Sequence, residues 1–248
     1  MIYRMIDGVG HYFILLSRVF KKPEKWVEFR KSLFREIDLL GLDSLGIVSI
    51  ISLFVGAVVT IQTALNLDDP LIPNYYVAIA TRESIILEFS PTMISLILAG
   101  KVGSNIASTI GTMRVTEQID ALEVMGINSS SFLILPKIVA CLLFNPLLIV
   151  ISMFLGLFGG YLAGSLTGMV GTSDFLLGLQ MGFNPFYTWY ALIKTIVFAF
   201  MISSVSAYYG YTVKGGAIAV GKASTDAVVN SSVTIILANY ILTDLLLS

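Results

Sequence analysis

Two stretches of this chain carry no charged side chain, residues 44–67 and residues 138–173. About 20 consecutive apolar residues cross a bilayer as a helix, and in lipid every backbone N–H and C=O must be satisfied inside the protein. Runs this long are read as membrane spans rather than core helices. Composition agrees, because the 248 residues are 56% hydrophobic and only 12% charged, too few charges to cover a soluble domain of that size. The fold class expected is an all-α integral membrane protein. The first run starts behind a charged segment, which does not suit a cleavable signal peptide, so this span is expected to stay as an anchor.

Residues 1–43 read as an interfacial amphipathic segment in two parts broken at Pro23. Trp26, Phe29, Leu33, Ile37 and Leu40 recur at three- and four-residue steps, while Lys25, Glu28, Lys31, Arg35 and Asp38 take other faces. A helix of this kind lies in the membrane interface or packs on a soluble partner. Residues 44–248 form one membrane domain of about five spans, placed at 44–67, 81–111, 133–163, 186–211 and 224–247. Arg82, Glu83, Glu88 and Lys101 interrupt the second span, and the turn-rich run Asp68-Asp69-Pro70-Leu71-Ile72-Pro73-Asn74 joins it to the first. Segments 1–43, 111–137 and 211–223 hold twelve Lys and Arg residues, whereas loops 68–83 and 164–185 hold only Arg82. Basic residues stay on the cytoplasmic side, so the expected orientation is N-terminus in and C-terminus out.

Several chemistries have no residues to carry them. Cys141 is the one cysteine and His11 the one histidine, so a His/Cys metal centre is not expected and no intrachain disulfide can form. G-x-S-x-G and H-E-x-x-H are absent, and Asp226 and Asp244, the nearest approach to an intramembrane aspartate pair, fall at the ends of the last span. The chain is expected to be no enzyme, and a net charge of −1 offers nothing to nucleic acid. There is also no G-x-x-x-x-G-K-[ST] loop, so energised work would need an ATP-hydrolysing partner.

What remains is a short list. Residues 116–126, Thr116-Glu117-Gln118-Ile119-Asp120-Ala121-Leu122-Glu123-Val124-Met125-Gly126, carry three acidic residues between two greasy runs. Ile119, Leu122, Val124 and Met125 fall at roughly helical spacing and Gly126 supplies a stop, which predicts a small amphipathic helix on the cytoplasmic side. Glu88 lies inside the second span, where a carboxylate costs roughly 2.5–3.5 kcal/mol at a helix centre. It lines a polar cavity, pairs with Arg82 or Lys194, or snorkels to water. Pro91 loosens the same helix. Lys194 is the only charge in the fourth span and either meets Glu88 or lies near the outer interface. Gly156, Gly160, Gly164 and Gly168 repeat every four residues and predict a smooth ridge for helix packing.

These residues are similar to the permease subunits of the MlaE family, ABC-type transporters that move phospholipid between the membranes of double-membraned bacteria and related organelles. The likeness is densest at Ala99-Gly100-Lys101-Val102-Gly103-Ser104 with 111–125, which resembles the family's A-G-R-x-G-S…G-x-M-R-x-T-E-Q-x-x-A-x-x-x-M pattern. A second block runs from Lys214-Gly215-Gly216-Ala217 through Val220-Gly221-Lys222-Ala223-Ser224-Thr225-Asp226 to Tyr240-Ile241-Leu242-Thr243. The resemblance implies an inner-membrane homodimer, each copy docked on a cytoplasmic ABC ATPase through a coupling helix at 116–126. Glu117, Gln118, Asp120, Ala121, Leu122, Glu123 and Met125 would serve that coupling. It implies a hexameric MCE-domain protein on the periplasmic face and a phospholipid cavity lined mainly by the first two spans, with Gly56, Gln62, Glu88 and Pro91 as candidates. A sterol-like cargo, or a passive scaffold for a cytoplasmic complex, is the alternative. ATP and magnesium would belong to the partner, leaving this chain without a cofactor. Three departures stand out: Leu87 replaces the arginine that usually precedes the span-2 glutamate, Lys101 replaces an arginine, and Asn239 replaces a frequent aspartate.

Overall fold

A computed structural model describes residues 2–20, 26–67, 71 and 73–247, with side chains from residue 8 onward. Pro23, Lys25 and most of the turn-rich run at 68–74 therefore lie outside the described residues. Every regular element described is helical. We number them α1 (Ile2–Val19), α2 (Trp26–Asn66), α3 (Tyr75–Val115), α4 (Gln118–Val124), α5 (Ser129–Thr167), α6 (Thr172–Gln180), α7 (Pro185–Tyr211) and α8 (Ala217–Leu247). The helices α2, α3, α5, α7 and α8 are each long and apolar enough to cross a membrane. The protein is an all-α, multi-pass integral membrane protein.

The boundaries differ from the sequence reading in an instructive way. The amphipathic stretch at 26–43 is not a separate element but the first part of α2, which runs on as 41 residues. Nothing between Trp26 and Ser44 stops a helix, since Gly41 is the only helix-weakening residue there. At 1.5 Å per residue α2 spans roughly 60 Å, about twice the hydrocarbon thickness, so its front part must lie beyond the bilayer core. A wider turn at Ile37–Leu42 marks the junction. There Gly41 leaves room for the ring of Phe144, which would stand 2.5 Å from any Cβ added at that position.

The chain divides into two compact units. The first comprises residues 1–44, 96–144 and 197–240. Inside it α1 packs on α7, with Tyr12 Oη 2.8 Å from Ser204 Oγ and the Phe20 and Phe200 rings stacked. Burial raises the Tyr12 phenol above its usual pKa, partly offset by that hydrogen bond. Lys137 on α5 meets Glu36 on α2 at 2.6 Å, both largely buried.

The second unit comprises residues 45–95, 145–196 and 241–248. Its helices approach closely through glycine. A Cβ at Gly56 would stand 1.8 Å from the Gly156 carbonyl oxygen, and one at Gly159 would stand 2.0 Å from that of Leu53. Gly160 and Gly164 face Thr60. Gly168, expected to continue the ridge, instead falls past the end of α5 with φ +69° and open space where its Cβ would be. It makes a turn, which needs glycine for a different reason.

In the same unit, Arg82 holds α6. Its side chain is 3% exposed, and its guanidinium donates to the carbonyls of Gly178, Leu179, Met181 and Gly182 at 2.8–3.4 Å. The last carbonyls of a helix lack partners of their own, and a cation there also suits the helix dipole. Arg82→Met is expected to lower stability by about 3 kcal/mol. Limited chymotrypsin digestion in detergent checks this through faster cleavage near the exposed Leu176 and Leu177, and an unchanged digestion rate would show that the clamp is idle.

Candidate functional site: a charged staple in the second unit and a tethered polar helix in the first

Pro91 creates the first feature. Residues Ile85–Met93 of α3 adopt a widened turn, with Pro91 buried inside it. Proline offers no N–H to the carbonyl four residues back, that of Leu87, and its ring crowds a normal turn. The Lys194 ammonium, fully buried on α7, stands 3.4 Å from that Leu87 oxygen. It also donates to Glu88 Oε1 at 2.8 Å, Tyr190 Oη at 2.6 Å and Thr243 Oγ1 at 3.2 Å. Tyr190 and Thr243 are themselves 3.0 Å apart. One cation thus ties α3, α7 and α8 together, and every donor on it has an acceptor. That satisfies the condition under which a buried charge is tolerated.

Of the partners open to Glu88, Lys194 is the one it meets; Arg82 is committed to α6. The pair is asymmetric, since the Glu88 side chain is 43% exposed while its lysine is wholly enclosed. Thr92, one turn on, donates to the other Glu88 oxygen at 3.1 Å. A negative group is therefore held on the surface of the unit by a buried positive one. This geometry can present a carboxylate to a passing polar group without releasing it into lipid.

Next to the widened turn lies a small pocket lined by Ser52, Val55 and Gly56 of α2, Phe89, Ser90 and Met93 of α3, and Ser152 of α5. Its hydroxyls form a chain, Ser52 Oγ lying 2.9 Å from Ser152 Oγ and Ser152 Oγ 3.1 Å from Ser90 Oγ. The pocket has room for about one water molecule and is far too small for a phospholipid. Of the cavity candidates, Gly56 lines this pocket but is decided by helix contact; Gln62 lies exposed on α2, and Glu88 and Pro91 are not part of the lining. Sequence reasoning missed the three serines. No spacing links residues on separate spans, so nothing local pointed to them.

The second feature is the polar helix α4 in the first unit. Glu117 precedes it with φ +58°, a left-handed conformation that ordinary residues avoid. Ile119 is completely buried and pins the helix, whereas Val124 is 89% exposed and Met125 is exposed too. The expected single apolar face is therefore split between an anchor and a free tip. Gln118 and Ala121 are also exposed, and Leu122 is half-buried. Asp120 accepts from Arg114 at 2.7 Å, and Glu123 accepts from Ser129 at 2.9 Å and Tyr211 at 3.0 Å. Gly126, with φ +78°, ends the helix.

The profile of the family described as Permease MlaE matches residues 33–245. The chain belongs to the MlaE permease family. Among its relatives, a Rickettsia bellii protein named a probable ABC transporter permease protein is 36% identical over 242 residues, which is 98% of this chain and 93% of that one. The probable ABC transporter permease protein slr1045 of Synechocystis is 33% identical over 235 residues, 93% and 87% of the two chains. The Arabidopsis protein Trigalactosyldiacylglycerol 1, chloroplastic, is 31% identical over 233 residues, 92% of this chain and 64% of that one. The matched region takes in both α4 and the staple around Lys194. For this MlaE-family permease, the described residues hold no group of three His, Cys, Asp or Glu side chains placed to bind a metal.

Proposed function

We propose that this chain is the membrane subunit of an ABC-type phospholipid transporter of the inner membrane, working as a homodimer. A separate cytoplasmic ATPase drives it, and an MCE-domain hexamer on the periplasmic face receives or delivers the lipid. The observation that carries the reading is α4: a polar helix between two spans, pinned by buried Ile119, with Val124 and Met125 held out as an apolar tip. Such a tip suits insertion into a pocket of a partner. The chain has no phosphate-binding loop of its own, and the bacterial relatives are named as ABC transporter permeases, which supports an ATPase as that partner. The charge bias supports an orientation with α4 and the N-terminus in the cytoplasm and the C-terminus in the periplasm. A lipid cargo is supported by the family and by the Arabidopsis relative, whose name is that of a galactolipid. The Glu88 carboxylate on α3 supports a path at which a lipid headgroup meets a fixed charge.

The test is purification from the native membrane, followed by mass spectrometry of the accompanying proteins and lipids. An ATPase, an MCE-domain protein and phospholipid should copurify; recovery with no ATPase would sink the ABC reading, and a sterol in place of phospholipid would redirect the cargo. Val124→Asp with Met125→Asp is expected to weaken ATPase binding by about a thousandfold, since two hot-spot side chains would each cost about 2 kcal/mol. Retention of the ATPase at the wild-type ratio would place the docking contact elsewhere.

A further inference from the structure

Glu123 looks in the sequence like a charge offered to a partner, but its carboxylate is already engaged. One oxygen, Oε1, accepts from Ser129 Oγ at 2.9 Å and from Tyr211 Oη at 3.0 Å, and those two hydroxyls are 2.9 Å apart. Ser129 opens α5 and Tyr211 closes α7, so the three side chains join α4 to the ends of two spans. Arg114 closes the arrangement from α3. It pairs with Asp120 at 2.7 Å and lies over the Tyr211 ring at 5.9 Å. All these residues belong to the first unit.

A second observation gives the arrangement a mechanical meaning. Glu117, at the joint between α3 and α4, is the only described residue other than glycine with positive φ. A side-chain-bearing residue in that conformation stores strain and persists only where surrounding contacts hold it. Here a strained joint at one end of a seven-residue helix is opposed by a hydrogen-bonded latch at the other. A push on the exposed Val124 and Met125 tip bears directly on the neighbouring latch, and hence on Tyr211.

We infer that Glu123 is a positioning residue that latches α4 to the end of α7 through Tyr211, and that it does not itself touch the ATPase. This rests on the reading of α4 as the docking helix and assigns the route by which that helix moves the spans. The tip binds, and the latch transmits the motion to the end of α7.

The two roles separate in the intact complex. We would reconstitute wild type, Tyr211→Phe, Glu123→Gln and the double variant with the ATPase into vesicles of phosphatidylethanolamine and phosphatidylglycerol carrying a fluorescent phospholipid. All variants should retain the ATPase at the wild-type ratio. Tyr211→Phe should hydrolyse ATP within about twofold of wild type yet move about tenfold less labelled lipid per ATP, the cost of one hydrogen bond to a charged group. Glu123→Gln should fall similarly, and the double variant should be little worse than either, because both break one latch. Release of the ATPase by Glu123→Gln would make Glu123 a docking contact and overturn the latch. Wild-type transport by Tyr211→Phe, or additive losses in the double variant, would overturn it equally. Failure of wild type to bind any ATPase would instead overturn the transporter reading itself.

Discussion

Lys194→Met loses about 3 kcal/mol of stability, because the acceptors gathered round a buried cation lose their shared donor while the remaining carboxylate of Glu88 is only half-buried. Several losses coincide. Glu88 loses the cation facing its Oε1, Tyr190 and Thr243 lose a shared donor, and the Leu87 carbonyl loses the ammonium standing near it across from Pro91. Against most mutations, which cost about 1 kcal/mol, this is severe. Neutralising the other partner provides the control. Glu88→Gln combined with Lys194→Met removes the stranded charge, so the double variant should recover about half of the loss. Unfolding of the purified variants in detergent measures both values. A Lys194→Met protein as stable as wild type would show that the staple holds nothing together, and a double variant no better than the single would show that charge is not the reason.

Gly56→Leu fails to yield a folded protein, and even Gly56→Ala costs about 3 kcal/mol, at the upper end of overpacking penalties. The reason is backbone rather than side chain. An added Cβ meets the Gly156 carbonyl at 1.8 Å, so α2 and α5 must part, and no rotamer change relieves the clash. Separation would also pull Ser52 away from Ser152, breaking the hydroxyl chain that joins α2, α5 and α3. Gly46, ten residues earlier on α2, has nothing within 4 Å of its Cβ direction and serves as the comparison. Gly46→Ala should be neutral or slightly stabilising, by about 0.5–1 kcal/mol from helix propensity. Membrane-fraction yield and size-exclusion profiles report the contrast. Gly56→Ala behaving like Gly46→Ala would mean that the helices have freedom to shift.

Much of the architecture was legible because hydropathy is a local sum. Uncharged runs at 44–67 and 138–173 declared spans whatever their neighbours did, and 116–126 declared a polar helix between two of them. Helix ends were legible only where a breaker stood. The joint near residue 44 has none, so α2 runs through the predicted boundary. The glycine repeat was read as a ridge, yet its fourth member is a turn, because four-residue spacing cannot show where the helix stops. Glu123 and Val124 were both legible as members of a small helix. Which was tethered and which was free was not.

By itself, then, the sequence determined the class of solvent, the number of spans and the polar insert. Each of these follows from the cost of placing individual residues in lipid or water, and that cost adds up along the chain without reference to folding. The tertiary structure alone decided which charges and hydroxyls meet. Lys194 finds Glu88, 106 residues away, and Tyr211 finds Glu123, 88 residues away. Such pairings depend on how each helix is rotated and how closely its neighbours approach. Those are set by small-residue contacts such as Gly56 on Gly156, and a run of apolar residues leaves them open.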